Sequence, residues 1–142
     1  MGITGSTTLA NVTFNLGITT VTWTVKDQSE TGNPITCSYT VTVEDNTPPT
    51  LTTSCDDITN QQGSITVNTD EGKPTYTHPS DNISWDVVAT DNVGVVSKTW
   101  ELTGATQKSG ENSLAGVVFN VGTTTVTWTV KDEIGRASCR ER

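Results

Sequence analysis

Apolar and polar residues alternate along several short stretches of the chain, which is the pattern of strands that bury one face. In Thr20–Val25, the apolar Val21, Trp23 and Val25 point to one side and threonines point to the other. Further alternating stretches lie at 37–43, 51–55, 83–89 and 126–130, and less regular strands are expected at 65–68 and 95–102. The tryptophans on the apolar sides are expected in the core. We predict no helix.

Turn-forming residues separate these stretches, for example at 30–34, 45–49 and 70–74. Threonine accounts for 30 of the 142 residues. Threonine and valine suit half-buried pleated surfaces, whereas alanine and leucine, which favour helices, are scarce. The spacing of many short strands therefore predicts an all-β protein built as an antiparallel sandwich.

The chain contains an internal repeat, because residues 9–27 match residues 114–132 at a constant offset of 105 residues. A match at a fixed offset is typical of tandem modules. We interpret residues 1–46 as the C-terminal part of one module. Residues 47–133 are then a second module that lacks its last strand. We accordingly expect the chain to be an excerpt of a longer array.

The end of the chain departs from this pattern. All three arginines lie within the final seven positions, and Ile134–Arg142 lacks the threonine and valine alternation. Codons can be chosen for this tail that resemble read-through into a common sequencing adapter. We therefore expect residues 134–142 to be non-native, with a genuine basic tail as the alternative.

The formal net charge is −8 at pH 7. Such a charge argues against nucleic acid and anionic membranes as partners and is compatible with cations. No apolar run approaches the roughly 20 residues that a bilayer-spanning helix needs, so no membrane insertion is expected.

Several segments together resemble the hyalin repeat (HYR) module, namely 36–49, 89–92 and 119–132, with 55–58 and 65–72 resembling its front end. The resemblance implies an immunoglobulin-like Greek-key fold in tandem copies, found in extracellular or cell-surface proteins and linked to adhesion. It also implies no enzymatic activity. The period of 105 residues exceeds the usual size of this module.

Two cysteines precede the tail, Cys37 and Cys55, and alternation places both on inward faces of strands. The resemblance implies that a first-strand cysteine pairs with the last-strand cysteine of the same module. Cys37 and Cys55 would then be disulfide residues of successive modules. A direct bond between them and two buried free thiols are the alternatives.

Acidic residues are expected to converge between the modules. In a seven-strand Greek-key sandwich, two of the loops return to the pole where the chain begins. Those loops carry Asp91, Asn92 and Asp132, and the preceding linker carries Asp45 and Asn46. Because Ca²⁺ takes six to eight oxygen ligands, we predict a calcium site formed by these residues. The alternative is that they are ordinary turn residues.

The expected function is that of a structural or adhesive repeat module in a large secreted or cell-surface protein. Its partners would be neighbouring modules or identical subunits, and also surface proteins or glycans. The single histidine, His78, leaves a hydrolase triad or a zinc site without sufficient residues. One alternative is an extracellular filament subunit that donates the strand at Thr36–Val43 to another copy. Another is a carbohydrate-binding module that uses Trp100.

Overall fold

The computed structural model describes residues 7–26 and 34–133, together with the backbone of Ala137–Ser138. Contacts divide the chain into two compact units, Met1–Asn46 (unit 1) and Thr47–Arg142 (unit 2). Most of the tail predicted to be non-native lies outside the described residues. The assignment of the two units to successive repeat modules stays a prediction.

Unit 1 contains one long antiparallel strand pair. Strand β1 (Gly17–Val25) pairs with β2 (Ile35–Val43) along its whole length. Threonine and serine hydroxyls occupy one side, where Thr22 Oγ1 lies 2.9 Å from Ser38 Oγ. These β-branched and hydroxyl-bearing side chains pack well across a pleated pair, which explains why this sequence forms strands.

The apolar side of this pair is only partly covered. Trp23 is half-buried, whereas Val25 and Ile35, which lie opposite each other, are exposed. The described part of unit 1 therefore contains strands but no fully buried apolar side chain.

The described residues of unit 2 form three antiparallel sheets, with strand orders β10-β9-β6-β7, β3-β5 and β4-β8. Its elements are β3 (Thr50–Thr53), the helical turn α1 (Cys55–Ile58), β4 (Thr75–Thr77), β5 (Val88–Thr90), β6 (Val95–Gly104), β7 (Lys108–Glu111), β8 (Val118–Asn120), β9 (Thr124–Asp132) and β10 (Ala137–Ser138). The all-β, antiparallel sandwich class predicted from the sequence is confirmed.

The core of unit 2 is built on the inner side of the β6–β9 pair. Trp100 lies opposite Trp128 in the neighbouring strand. Lys98 donates from Nζ to the Val87 carbonyl oxygen at 3.0 Å, and this Nζ lies 5.4 Å from the centroid of the Trp128 ring. The charge is thus placed over an aromatic face, which favours it. The buried apolar residues are Val87, Trp100, Leu102, Leu114, Val117, Trp128 and Val130.

The prediction of no helix was wrong at α1, and so was the strand placement of Cys55. Ser54 caps this turn: the Asp57 backbone N–H donates to Ser54 Oγ at 3.3 Å. The Ser54 backbone N–H in turn donates to Asp57 Oδ2 at 2.7 Å. This reciprocal capping box satisfies the first backbone donors of a helix. The alternation at 51–55 predicts a strand that continues to Cys55. Local hydrogen bonding outweighs this pattern and ends β3 at Thr53.

Two other predicted strands differ from the structure. The stretch at 65–68 is not a strand, and its Ile65 and Val67 are exposed. The stretch at 83–89 forms a strand only from Val88 onward, as β5. Alternation alone does not provide a partner strand, and isolated extended segments are not stable without one.

Candidate functional site

Two of the predicted calcium ligands lie at the same end of the β6–β9 pair. Asp132 is the last residue of β9 and lies opposite Val95, the first residue of β6. Asp91 lies in the turn that leads from β5 into β6. The fold of unit 2 therefore brings Asp91 and Asp132 to one pole, which we call the carboxylate pole.

The Asp91 turn is held by its own carboxylate. Oδ1 accepts hydrogen bonds from the Val93 N–H at 2.9 Å and the Gly94 N–H at 3.0 Å. Gly94 adopts φ +149°, a conformation that glycine tolerates. The other oxygen, Asp91 Oδ2, is buried and accepts no hydrogen bond from the described residues.

The predicted ligands differ in how far their side chains are buried. Asp132 is 2% exposed and Asp45 is 5% exposed, whereas Asn46 and Asn92 are exposed. Asp45 and Asn46 belong to unit 1, and the other three predicted ligands belong to unit 2. Burying a carboxylate is costly unless hydrogen bonds or positive charge compensate it.

Carboxylates alone do not make a metal site in this structure. Within residues 7–26 and 34–133, no group of three or more His, Cys, Asp or Glu side chains could hold a metal ion. A cation here would also need oxygens from amides, main-chain carbonyls or water, which Ca²⁺ accepts. The calcium site stays a prediction.

The two cysteines differ from their predicted positions. Cys37 is exposed, because the apolar side of the β1–β2 pair is only partly covered. Cys55 is the first residue of α1, where it is half-buried and packs against the core of unit 2. Cys37 is a free thiol in the structure, and the disulfide pairing that the resemblance implies for both cysteines stays a prediction.

The tryptophans show how far alternation predicts burial. Trp128 and Trp100 are 4% and 5% exposed, while Trp23 and Trp85 are half-buried. Trp100 Nε1 donates to the Ser113 carbonyl oxygen at 2.9 Å. Because Trp100 is buried, its ring does not present the exposed face that sugar stacking requires.

A buried histidine is the feature that sequence analysis missed. The structure buries His78 completely. Its ring stacks on Trp85 with centroids 4.1 Å apart, and Tyr76 Oη lies 3.5 Å from His78 Nδ1. The alternation of Tyr76 and His78 could have revealed this burial, because His78 follows β4 directly and lies on the same side as Tyr76.

Burial sets the charge state of this histidine. Desolvation lowers the pKa of His78 from its usual value of 6.5, opposed by a hydrogen bond with the Asn82 backbone and by the charge of Asp86. The imidazole is therefore neutral in the folded unit near pH 7. A neutral ring fits among aromatic side chains, so His78 serves packing in this arrangement.

Sequence comparison with curated proteins gives one relevant similarity. The chain is 34% identical over 127 residues to hyalin from Strongylocentrotus purpuratus. This chain is similar to hyalin. The alignment covers 88% of this chain and 9% of hyalin, so the chain spans less than a tenth of that protein's length. The similarity supports the resemblance to hyalin-repeat sequences on which the predicted adhesive role depends.

Two further comparisons found no match, and the structure bears on membrane insertion. No protein-family model matches the chain, and no solved structure matches it. In the part of the chain that the structure describes, no helix is long and apolar enough to cross a membrane.

Proposed function

We propose that this chain is a structural and adhesive hyalin-like repeat module of an extracellular or cell-surface protein. The similarity to hyalin across 88% of the chain is the observation that carries the proposal. The internal repeat at an offset of 105 residues supports a tandem arrangement. The antiparallel sandwich class of the fold agrees with the same role.

The architecture of unit 2 is suited to bearing load. Strands β6 and β9 pair over most of their length, from Val95 opposite Asp132 to Gly104 opposite Thr124. The inner side of this pair carries Trp100, Leu102, Trp128 and Val130, all of which are buried. Extending the chain would break this ladder and expose the core at the same time, which makes unfolding cooperative.

Single-molecule force spectroscopy tests the structural role. The full chain is placed between well-characterised marker domains and stretched from its ends. We expect one discrete unfolding event from unit 2, releasing roughly 300 Å of extended chain for its roughly 90 folded residues. Extension without a measurable force peak would contradict a load-bearing role.

We further propose that Ca²⁺ binds at the carboxylate pole and rigidifies the linker before unit 2. The proposal is supported by the buried Asp91 Oδ2, the burial of Asp132, and the net charge of −8. Pro48 and Pro49, at the start of unit 2, limit the flexibility of the chain that follows this linker. A divalent cation would offset the repulsion and desolvation of these carboxylates.

Thermal melting of the full chain with excess EGTA and with CaCl₂ tests the calcium proposal. Binding should raise the free energy of unfolding by about 2.7 kcal/mol when Ca²⁺ is present at 100 times its dissociation constant. Asp91→Asn and Asp132→Asn should each abolish the shift, and Asp91→Asn retains an oxygen for the Val93 and Gly94 N–H groups. The exposed Asp81 provides the control Asp81→Asn, which should retain it. An unchanged melting temperature in the wild-type chain would rule the site out.

The cysteines fit the same extracellular setting. Cys55 packs against the core of unit 2, and the resemblance implies a partner in the last strand of its own module. We propose that Cys37 and Cys55 each form such an intramodule disulfide in the parent protein. Disulfides of this kind persist in oxidising compartments.

A second candidate function is a filament subunit that assembles by strand donation. The pairing of β10 with the outer edge of β9 favours it, because this edge accepts an additional antiparallel strand. The carbohydrate-binding alternative has less support, since Trp100 is buried.

A further inference from the structure

The two edges of β9 are occupied very differently in the described residues. One edge pairs with β6 along its length. On the other, outer edge, β10 pairs only with Lys131 and Val130. No other strand among the described residues lies along that edge. The outer edge of β9 is therefore a place where an antiparallel strand is accepted, and its described occupant is two residues long.

The chain itself contains a strand that matches β9. The sequence of β1 is the same as that of residues 122–130, except that Ile18 corresponds to Thr123. β1 holds β2 in an antiparallel pair along its full nine residues. Cross-strand contacts depend on the side chains of the two strands, so β9 offers β2 almost the same partner as β1 does.

If β2 paired with β9 in the register that it has with β1, its apolar side chains would become more buried. It would place Tyr39 opposite Val126 and Ile35 opposite Val130, as they now lie opposite Val21 and Val25. In unit 1, Ile35 is 75% exposed and Tyr39 is 45% exposed. On β9 the same side chains would lie beside Val126, Trp128 and Val130, of which the last two are buried. More apolar surface would therefore be removed from water.

We propose that the outer edge of β9 binds β2 from a second copy of this chain, in the register that β1 and β2 already show. The incoming strand leaves β1 of its own copy, because one edge of β2 cannot pair with both strands. It then displaces β10, whose described pairing covers two residues. The contact joins different surfaces of the two copies, so repetition yields an open, head-to-tail assembly. This inference rests on the proposed filament function and adds to it the register of the contact and the displacement of β10.

A peptide experiment tests the inference without altering the protein. The probe is a fluorescein-labelled peptide of residues 34–44 that carries Cys37→Ser, added to the full chain. We expect a saturable rise in anisotropy and slower amide hydrogen exchange at residues 124–130. The unlabelled peptide should also shift the sedimenting mass of a concentrated sample toward that of the monomer. A control peptide with Tyr39→Pro and Val41→Pro should bind at least about tenfold more weakly, because proline cannot donate to a strand ladder.

The location of the protection decides the outcome. Slower exchange confined to β1 would mean that the peptide replaces β2 within unit 1, and this result would overturn the inference, as would an absence of binding. A chain that remains monomeric at every accessible concentration would overturn the assignment of a second copy as the partner. The force experiment on single chains does not depend on strand addition, so failure of the structural role and failure of this contact are separable.

Discussion

Trp128→Ala is expected to lower the free energy of unfolding of unit 2 by about 3–5 kcal/mol, the range for removing a large aromatic side chain from a core. Trp128 is 4% exposed and lies opposite Trp100 in the central strand pair. Its removal leaves a cavity beneath β6 and also removes the ring that lies beside Lys98 Nζ. Urea titration followed by far-UV circular dichroism measures the change.

The internal repeat supplies a matched control for this substitution. Trp23 occupies the corresponding position of β1 in almost the same local sequence, but it is half-buried. Trp23→Ala should therefore cost clearly less than Trp128→Ala. Equal losses would mean that the local strand sequence, rather than the surrounding core, determines the contribution of the tryptophan.

Gly110→Ala is expected to destabilise unit 2 by about 1–3 kcal/mol, although alanine is ordinarily better than glycine in a strand. Gly110 lies opposite Trp100. A Cβ atom at Gly110 would lie 2.8 Å from Cε2 and 2.9 Å from Cη2 of Trp100, and closer still to Cζ2. The indole covers the glycine, so its ring would have to move out of the core.

A double-mutant cycle isolates this contact, measured by the same urea titration. Phenylalanine lacks the indole atoms nearest the new methyl group, so Gly110→Ala should cost less in a Trp100→Phe background. Ser109→Ala, an exposed neighbour on the same strand, should change stability by no more than about 0.5 kcal/mol. A Gly110→Ala variant as stable as the wild type would show that the ring readily adapts.

Part of the candidate site could be foreseen from connectivity. The placement of Asp91 and Asp132 at one pole followed from counting antiparallel strands, and the β6–β9 register puts them there. The hydrogen bonds that shape the Asp91 turn follow from a familiar turn preference for aspartate. The burial of Asp91 Oδ2 did not follow from the sequence pattern.

Features decided by local hydrogen bonding or by distant packing escaped the sequence reasoning. At Ser54–Ile58, side-chain capping outweighed alternation. At His78, the aromatic neighbour Trp85 comes from a separate segment. In both places, the polar and apolar pattern is consistent with more than one conformation, and the contacts with other groups select among them.

The sequence by itself determined that β1 and β9 are strands, that they are copies of one another, and which side of each is apolar. Only the tertiary structure decided that Trp128 is buried while Trp23 is half-exposed. The physical reason is that alternation is a property of one strand, whereas burial requires a second layer of side chains. In unit 2, the buried Val87, Leu114 and Val117 come from other segments and provide that layer.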